Sequence, residues 1–448
     1  MTHDARQAAL SVLNELDQRQ QTLDSILEKM PALPPRDQRL FHALTYGVLR
    51  WQGRLDHIIG HFSRTGLSKI SPPVLNILRL GLFQMIYLDR VPVSAAINTA
   101  VELARKSGAA WATGFVNGLL RNADRHLGQV SFPDPDKDPV LSLATAQSFP
   151  RWLVKRWIGR LGYGETEKLC RIINTIPPLT VRTNTLKVSR ETLMASLDQA
   201  VQEIQPTRFS PEGLSFSSPA GAIPELDAFQ KGWFQVQDEA AQMVAHMLDP
   251  RPGQRVLDAC AGLGGKTGHI AQIMENRGEI LATDHVAHKL SRMADEMARL
   301  GITIVKPHVH DLHRPLNENT VGTFDRILLD APCSGLGVLR RNPDAKWSAD
   351  KKNLQKYQAR QVRFLSHLAP LLAPGGLLVY AVCTTEPEEN GMVVRAFTDR
   401  HPDMAVETNP AGLPDAARPL LTGKGYLKTL PHTSGMDGFF SVCFRRKI

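Results

Sequence analysis

"LDACAGLGGKTGHI", Leu257 to Ile270, joins a short apolar run to a helical stretch through a glycine-rich loop, and its reading decides the fold of the carboxy-terminal half. Gly262, Gly264 and Gly265 let backbone approach a ligand closely just ahead of a helix amino terminus. Two phosphate-binding patterns compete for the loop. A P-loop needs G-x-x-x-x-G-K-S/T, and Gly265-Lys266-Thr267 supplies its end, but Cys260 stands where the first glycine belongs. A dinucleotide fingerprint begun at Gly262 would place its third glycine at Thr267. A third reading suits the residues better: Asp258 before the turn and Asp284 ending the next strand describe a site for a ribosyl cofactor without a phosphate chain. S-adenosylmethionine is the common one. Asp284 would accept the ribose hydroxyls, and Asp311, at the end of the third strand, would hold the adenine amino group. Each aspartate could instead cap the helix that follows it, but four at successive strand ends (Asp258, Asp284, Asp311 and Asp330) argue against that for the set.

Outward from this loop the chain alternates. "EILATDH", "TIVKPHVHD", "FDRILLDAP" and "GLLVYAVC" are apolar strands, with helical stretches such as "LQKYQARQVRFLSHLAPLL" between most of them. Alternation of this kind predicts βαβ units and a parallel sheet, a Rossmann-like α/β domain over residues 237–448 whose ligands bind beyond the strands' carboxyl ends. Two cysteines fall there, Cys333 after "RILLDAP" and Cys383 after "LLVYAV". "YLKTL" and "GFFSVCF" read as a closing antiparallel hairpin.

Upstream, residues 140–236 mix helix ("PRWLVKRWIGRLG") with strand ("LTVRTNTLK", "GWFQVQ"), a small α/β connector. Residues 1–130 are helical, an all-α domain. In "SPPVLNILRLGLFQMIYL", Ser71 suits a cap, Pro72 the first helical position, and Val74, Leu78 and Leu82 one apolar face. In "PVSAAINTAVELARK", Ser94 suits the cap. "SFPDPDKDPV" marks the linker.

Composition narrows the classes. The chain has 448 residues, a net charge of +9, and 15 Lys and Arg against 10 Asp and Glu within residues 1–128, a balance that suits a polyanion such as nucleic acid. Five cysteines without a C-x-x-C pair do not form a disulfide framework. "MTHDARQAAL" has no secretory apolar core, and no apolar run reaches membrane-spanning length, so a cytoplasmic location is expected. His308, His310 and His313 in "PHVHDLH" match no metal-site spacing, and no metal is expected.

"CAGLGGK", "DAPCSGLGVLRRNPDAKW" and "YAVCTTEPEEN", in that order, resemble the RNA 5-methylcytosine methyltransferases. "ILRLGLFQMIY" and "INTAVELARKSG" with "FVNGLLR" resemble the NusB-like RNA-binding domain. The pairing points to the branch acting on small-subunit ribosomal RNA (Fmu type). Gly262-Leu263 stands where the family reads A-P, and Val382-Cys383-Thr384 where it reads T-C-S. The resemblance implies S-adenosylmethionine bound by Cys260, Ala261, Gly262, Leu263, Gly264, Gly265 and Lys266 with Asp284, Asp311 and Asp330. It also implies a cysteine that adds to C6 of cytosine and so makes C5 nucleophilic. The proline before Cys333 would nominate that residue by analogy with DNA methyltransferases; the RNA family assigns attack to Cys383 and release to Cys333. Asp330 would read the cytosine N4 amino group, and Lys266 could touch the nucleotide or its phosphate. In "LRRNPDAKW", Arg340, Arg341 and Lys346 beside the catalytic loop suit a phosphate backbone, and Trp347 adds an aromatic face for an extruded base. Readings left open are a 5-methylcytosine methyltransferase of another RNA such as tRNA, a P-loop RNA-dependent ATPase, and a non-catalytic RNA-binding protein.

Overall fold

Helices laid out by the amino-terminal periodicity form the first of two units in the computed structural model, which describes residues 4–18, 21–31 and 33–448. Met1–His3, the start of the stretch read above as lacking a secretory core, lie outside the described residues. This unit takes the chain up to Ile176 together with Leu339–Ala349. Its longest helices are Pro35–Phe62, Pro72–Tyr87, Val93–Lys106 and Thr113–His126. Pro72 opens its helix as expected, since its fixed φ suits the first turn and its missing N–H is not needed there. Ser71 holds the cap position without a capping hydrogen bond. The next helix starts at Val93 with Pro92 at the cap, so Ser94 lies within the first turn rather than ahead of it. Leu44, Val48, Leu55, Ile77, Leu78, Leu82 and Leu120 make the centre of the core.

Helices Pro139–Gln147, Arg151–Leu161 and Tyr163–Ile173 belong to this same unit. The sequence reading put them in the connector from residue 140, whereas the boundary in space falls between Ile176 and Pro177. The segment Leu339–Ala349 also packs here. Trp347 Nε1 donates to the Leu49 carbonyl at 2.7 Å, and Arg50 donates to the Arg340 carbonyl at 2.8 Å. Lys346 is wholly buried, donating to Asn174 Oδ1 (2.6 Å) and the Arg50 carbonyl (3.2 Å), with its ammonium 3.8 Å from the Phe149 ring centroid. Burial, then the charge of Arg50, holds its pKa well below the ordinary lysine value. Arg340 is 6% exposed. Arg340 and Lys346 therefore serve as packing and hydrogen-bonding groups, not as the phosphate contacts their sequence position suggested.

The second unit, Pro177–Val338 with Asp350–Ile448, holds two sheets. The first is antiparallel, made of β1 (Leu179–Thr183), β2 (Gln202–Pro206), β3 (Gly213–Ser217) and β4 (Phe234–Val236) in the order β2-β3-β1-β4. With helix Arg190–Leu197 after β1 and the short helix Asp227–Gln230 before β4, this is the split βαβ, ferredoxin-like arrangement. The second sheet comprises β5 (Arg255–Asp258), β6 (Glu279–Asp284), β7 (Val305–Val309), β8 (Phe324–Asp330), β9 (Leu372–Val382), β10 (Met404–Val406), β11 (Tyr426–Lys428) and β12 (Phe440–Arg446). Its order is β10-β12-β9-β8-β5-β6-β7, with β11 paired to β12. The five strands from β9 to β7 run parallel, and β12 returns antiparallel to β9. The expected hairpin is present, Tyr426 facing Val442. Edge strand β7 is largely exposed, while β8 and β9 are near-continuous apolar runs, as strands covered on both faces require.

Arg182 ties the two sheets together. It is 1% exposed on β1, and its guanidinium donates to the Gly265 carbonyl (2.8 Å), Gln235 Oε1 (2.8 Å) and Gln272 Oε1 (3.2 Å), and to Gln237 Oε1. Burial lowers its pKa to about 9. The helix that follows the glycine loop is thereby fixed from behind by the connector.

Candidate active site

The chain travels from β5 through β6 to β7 on one side of the sheet, then crosses to lay β8 and β9 on the other. The crevice at that switch lies beyond the ends of β5 and β8, where doubly wound sheets bind ligands. The loop after β5 is pinned to both neighbours, Ala259 N–H to the Leu328 carbonyl and Ala261 N–H to the Thr283 carbonyl, each at 2.9 Å. Gly264 takes φ +82°, and a Cβ there would stand 2.4 Å from Met293 Cγ, so the turn needs glycine on both counts.

Asp284 closes the loop from β6. Its carboxylate accepts from Gly262 N–H (3.1 Å) and Val286 N–H (2.9 Å). Asp311 begins just beyond it, because His310 N–H donates to the Asp284 carbonyl at 3.0 Å. Asp311 is exposed and hydrogen-bonded to the backbone and ring of His313, which hold its carboxyl below the usual range. Asp258 is buried, accepts from Thr267 Oγ1 at 2.7 Å, and has its pKa raised to about 7 by burial. Cys260 is partly buried, and desolvation, then the charges of Asp258, Asp330 and Asp284, pushes its thiol well above the ordinary value, which suits packing rather than reaction. Leu263 makes the exposed lip of the loop at 44% exposed, between the half-buried Gly262 and the buried Gly264.

This geometry disfavours the phosphate readings. The Thr267 hydroxyl, which a P-loop would give to magnesium, is fully buried against Asp258. Lys266 Nζ is held 2.5 Å from Asp330 Oδ2 rather than facing the loop's backbone amides. Burial alone would depress the lysine, but the charge and hydrogen bond of Asp330 outweigh it and raise its pKa. A small turn, with an acid at the end of the neighbouring strand and no free lysine, fits a ribosyl sulfonium cofactor.

The two cysteine motifs meet because β8 and β9 are adjacent and parallel, Asp330 facing Ala381. Their last residues emerge side by side, with Ala331 N–H on the Ala381 carbonyl and Gly337 N–H on the Cys383 carbonyl, both at 2.9 Å. Gly337 cannot carry a side chain, since a Cβ would lie 1.8 Å from the Gly438 carbonyl oxygen. Cys333 Sγ and Cys383 Sγ are 3.4 Å apart. The hydrogen bond with Cys383, desolvation, and the charges of Cys383 and Glu389 keep the Cys333 thiol well above its ordinary pKa. Ionisation of Cys333 is thus disfavoured in the free protein.

One residue of the site was not singled out in the sequence. Glu389, fully buried, accepts from Ser334 N–H (2.9 Å), Ser334 Oγ (2.5 Å) and Gln361 Nε2 (3.1 Å). Ser334 Oγ in turn meets Thr384 Oγ1 at 3.0 Å. Glu389 therefore couples the loop carrying Cys333 to the one carrying Cys383, and burial raises its pKa against these hydrogen bonds. The signal was available, because a glutamate at the end of "YAVCTTEPEEN" lies within reach of whatever the second cysteine faces.

The 16S rRNA methyltransferase RsmB/F family matches residues 245–445, the NusB family residues 3–125, and the RsmF/B-like ferredoxin-like domain residues 149–222. A probable ribosomal RNA small subunit methyltransferase B of Synechocystis sp. is 38% identical, covering 97% of this chain and 98% of its own. That of Bacillus subtilis is 37% identical, covering 99% and 98%. The crystal structure of PH0851 superposes with a TM-score of 0.82 at 26% identity over the whole of both chains.

Proposed function

The chain belongs to the 16S rRNA methyltransferase RsmB/F family, and on that footing we propose how its residues divide the work of methylating a cytosine. The protein is an S-adenosylmethionine-dependent enzyme that methylates C5 of cytosine in small-subunit ribosomal RNA. S-adenosylmethionine, when bound, supplies an electrophilic methyl group on a sulfonium. The residues Cys260 to Lys266 form its seat, Asp284 holding the ribose hydroxyls and Asp311 the adenine amino group. Asp330, fixed by Lys266, accepts from the cytosine N4 amino group, where uracil would present a repelling O4.

Cys383 adds as thiolate to C6, forming the C6–S bond and making C5 an enamine-like nucleophile. After C5 is methylated, its proton must leave and the C6–S bond must break to restore the ring. Cys333 serves that second half. Cys333, having given its own proton to solvent, takes the C5 proton as a thiolate; the C5–H electrons form the C5=C6 double bond, and the C6–S pair leaves with Cys383 as its thiolate. The observation that carries this reading is the 3.4 Å contact between the two sulfurs at the ends of the adjacent parallel strands β8 and β9, which puts both within reach of one base. The net charge of +9 suits a ribosomal RNA substrate. Among the described residues no helix is long and apolar enough to cross a membrane, in keeping with action on ribosomal RNA in the cytoplasm. Bisulfite sequencing of 16S rRNA from cells with and without the protein tests the reading. One cytosine should lose protection on deletion and regain it with the wild-type chain but not with Cys383→Ala. Protection that is unaltered in ribosomal RNA and lost in tRNA would move the substrate.

A further inference from the structure

Away from the cysteines, three ligand-type side chains from distant parts of the sequence converge behind the cofactor loop. Glu212 lies in the turn leading into β3, His246 on helix Glu239–Leu248, and His269 on helix Gly265–Ile273. One ligand atom from each lies within 4.8 Å of the others. Glu212 Oε2 is 3.1 Å from His246 Nε2 and 4.0 Å from His269 Nε2, and the two imidazoles stand perpendicular with centroids 5.0 Å apart. His269 is 0% exposed, yet neither of its ring nitrogens has a hydrogen-bond partner. A buried polar atom left unmatched costs about 1–3 kcal/mol, so an imidazole orphaned at both nitrogens beside a carboxylate and a second imidazole needs an explanation.

We propose that Glu212, His246 and His269 form a binding site for a divalent transition-metal ion, zinc by the chemistry of its ligands. Two imidazoles and one carboxylate are a common zinc set, and bonds of about 2.0–2.2 Å leave neighbouring ligand atoms about 3.3 Å apart in a tetrahedron. The pair at 3.1 Å already has that spacing, and a side-chain adjustment of His269 closes the rest. Glu212 and His246 are 15% and 11% exposed, so the cluster reaches the surface on their side. Ser210 Oγ donates to Glu212 Oε2 at 3.2 Å, the kind of outer hydrogen bond that orients a carboxylate ligand. The nearby Arg182 guanidinium opposes the ion and makes the Glu212 charge indispensable. None of the three ligands is a residue of the proposed chemistry, so the ion is structural, clamping the connector turn to the helix that begins at Gly265.

The test uses the full chain purified without a polyhistidine tag or chelator. Bound zinc is measured by mass spectrometry, and thermal unfolding is followed with and without 1,10-phenanthroline. The proposal expects one zinc per chain, a melting temperature that falls on chelation and recovers with added zinc, and loss of both zinc and chelator response in His269→Leu and in Glu212→Gln. If His269→Leu fails to fold, the Glu212→Gln protein decides alone. Zinc absent from the wild type with a melting temperature unmoved by added zinc overturns the proposal, as does zinc retained in Glu212→Gln.

Discussion

Replacing Glu389 by glutamine keeps the shape of the side chain and removes its charge. The carboxylate receives three hydrogen bonds, two from Ser334 and one from Gln361. Glutamine keeps one acceptor oxygen and turns the other position into an amide that faces a donor. Losing one or two buried hydrogen bonds costs about 1–3 kcal/mol each, and removing a buried charge returns part of that, leaving a net loss of about 1–3 kcal/mol. The sign with pH follows from the raised pKa of Glu389. The wild type's advantage is fully present below the ordinary glutamate pKa of about 4.3 and shrinks as pH rises through the raised folded value. Because the charge of Glu389 is among those holding Cys333 protonated, Cys333 in Glu389→Gln should be alkylated faster by iodoacetamide at mildly alkaline pH. Chemical denaturation of the full chain and peptide-resolved alkylation rates check both. A variant within about 0.5 kcal/mol of wild type with Cys333 alkylation unchanged would refute the idea that Glu389 couples the two loops.

Asp284→Ala should weaken S-adenosylmethionine binding by about 1.5–3 kcal/mol, since the carboxylate also holds the Gly262 amide; unchanged affinity by calorimetry would contradict this. Gly264→Ala should lower the melting temperature, having both a left-handed φ and a neighbour 2.4 Å from the new Cβ, whereas Gly265→Ala, with nothing within 4 Å, should not. Lys346→Met should change the pH dependence of stability in the alkaline range. The folded pKa of Lys346 is depressed, so its contribution is present above the ordinary value of about 10.4 and lost as pH falls through the depressed one. Wild-type stability relative to the variant should therefore rise with pH, and a flat difference would show that the folded pKa of Lys346 is not depressed.

Much of the carboxy-terminal half was legible because its signals are local. A strand, a glycine turn and a helix follow one another in "LDACAGLGGKTGHI", and an apolar run ending in Asp or Cys marks a strand's carboxyl end wherever it lies. Strand order is not local. That Cys333 and Cys383 touch depends on β8 and β9 being neighbours, which motif order alone does not give. The same gap misled the reading of Arg340 and Lys346. As sequence they are basic residues beside a catalytic loop, but the chain leaves the second unit at Val338 and packs Leu339–Ala349 among helices some 170 to 300 residues earlier. A truncation at residue 128 would strip Trp347 and Lys346 of the Leu49 and Arg50 carbonyls they bond, so that cut is not a clean domain boundary. Glu212, His246 and His269 were invisible for a related reason, being brought together by the packing of the connector on the second sheet rather than by any spacing.

The central claim is the division of labour between the two thiols, and trapping the RNA on the enzyme tests it most directly. Each single cysteine-to-alanine variant is incubated with 16S rRNA and S-adenosylmethionine, then resolved by denaturing electrophoresis. Cys333→Ala retains the attacking sulfur and lacks the group that aids release, so a protein–RNA adduct should accumulate. Cys383→Ala has no nucleophile and should give neither adduct nor methylated product. An adduct trapped by Cys383→Ala and absent from Cys333→Ala would contradict the account and make Cys333 the nucleophile.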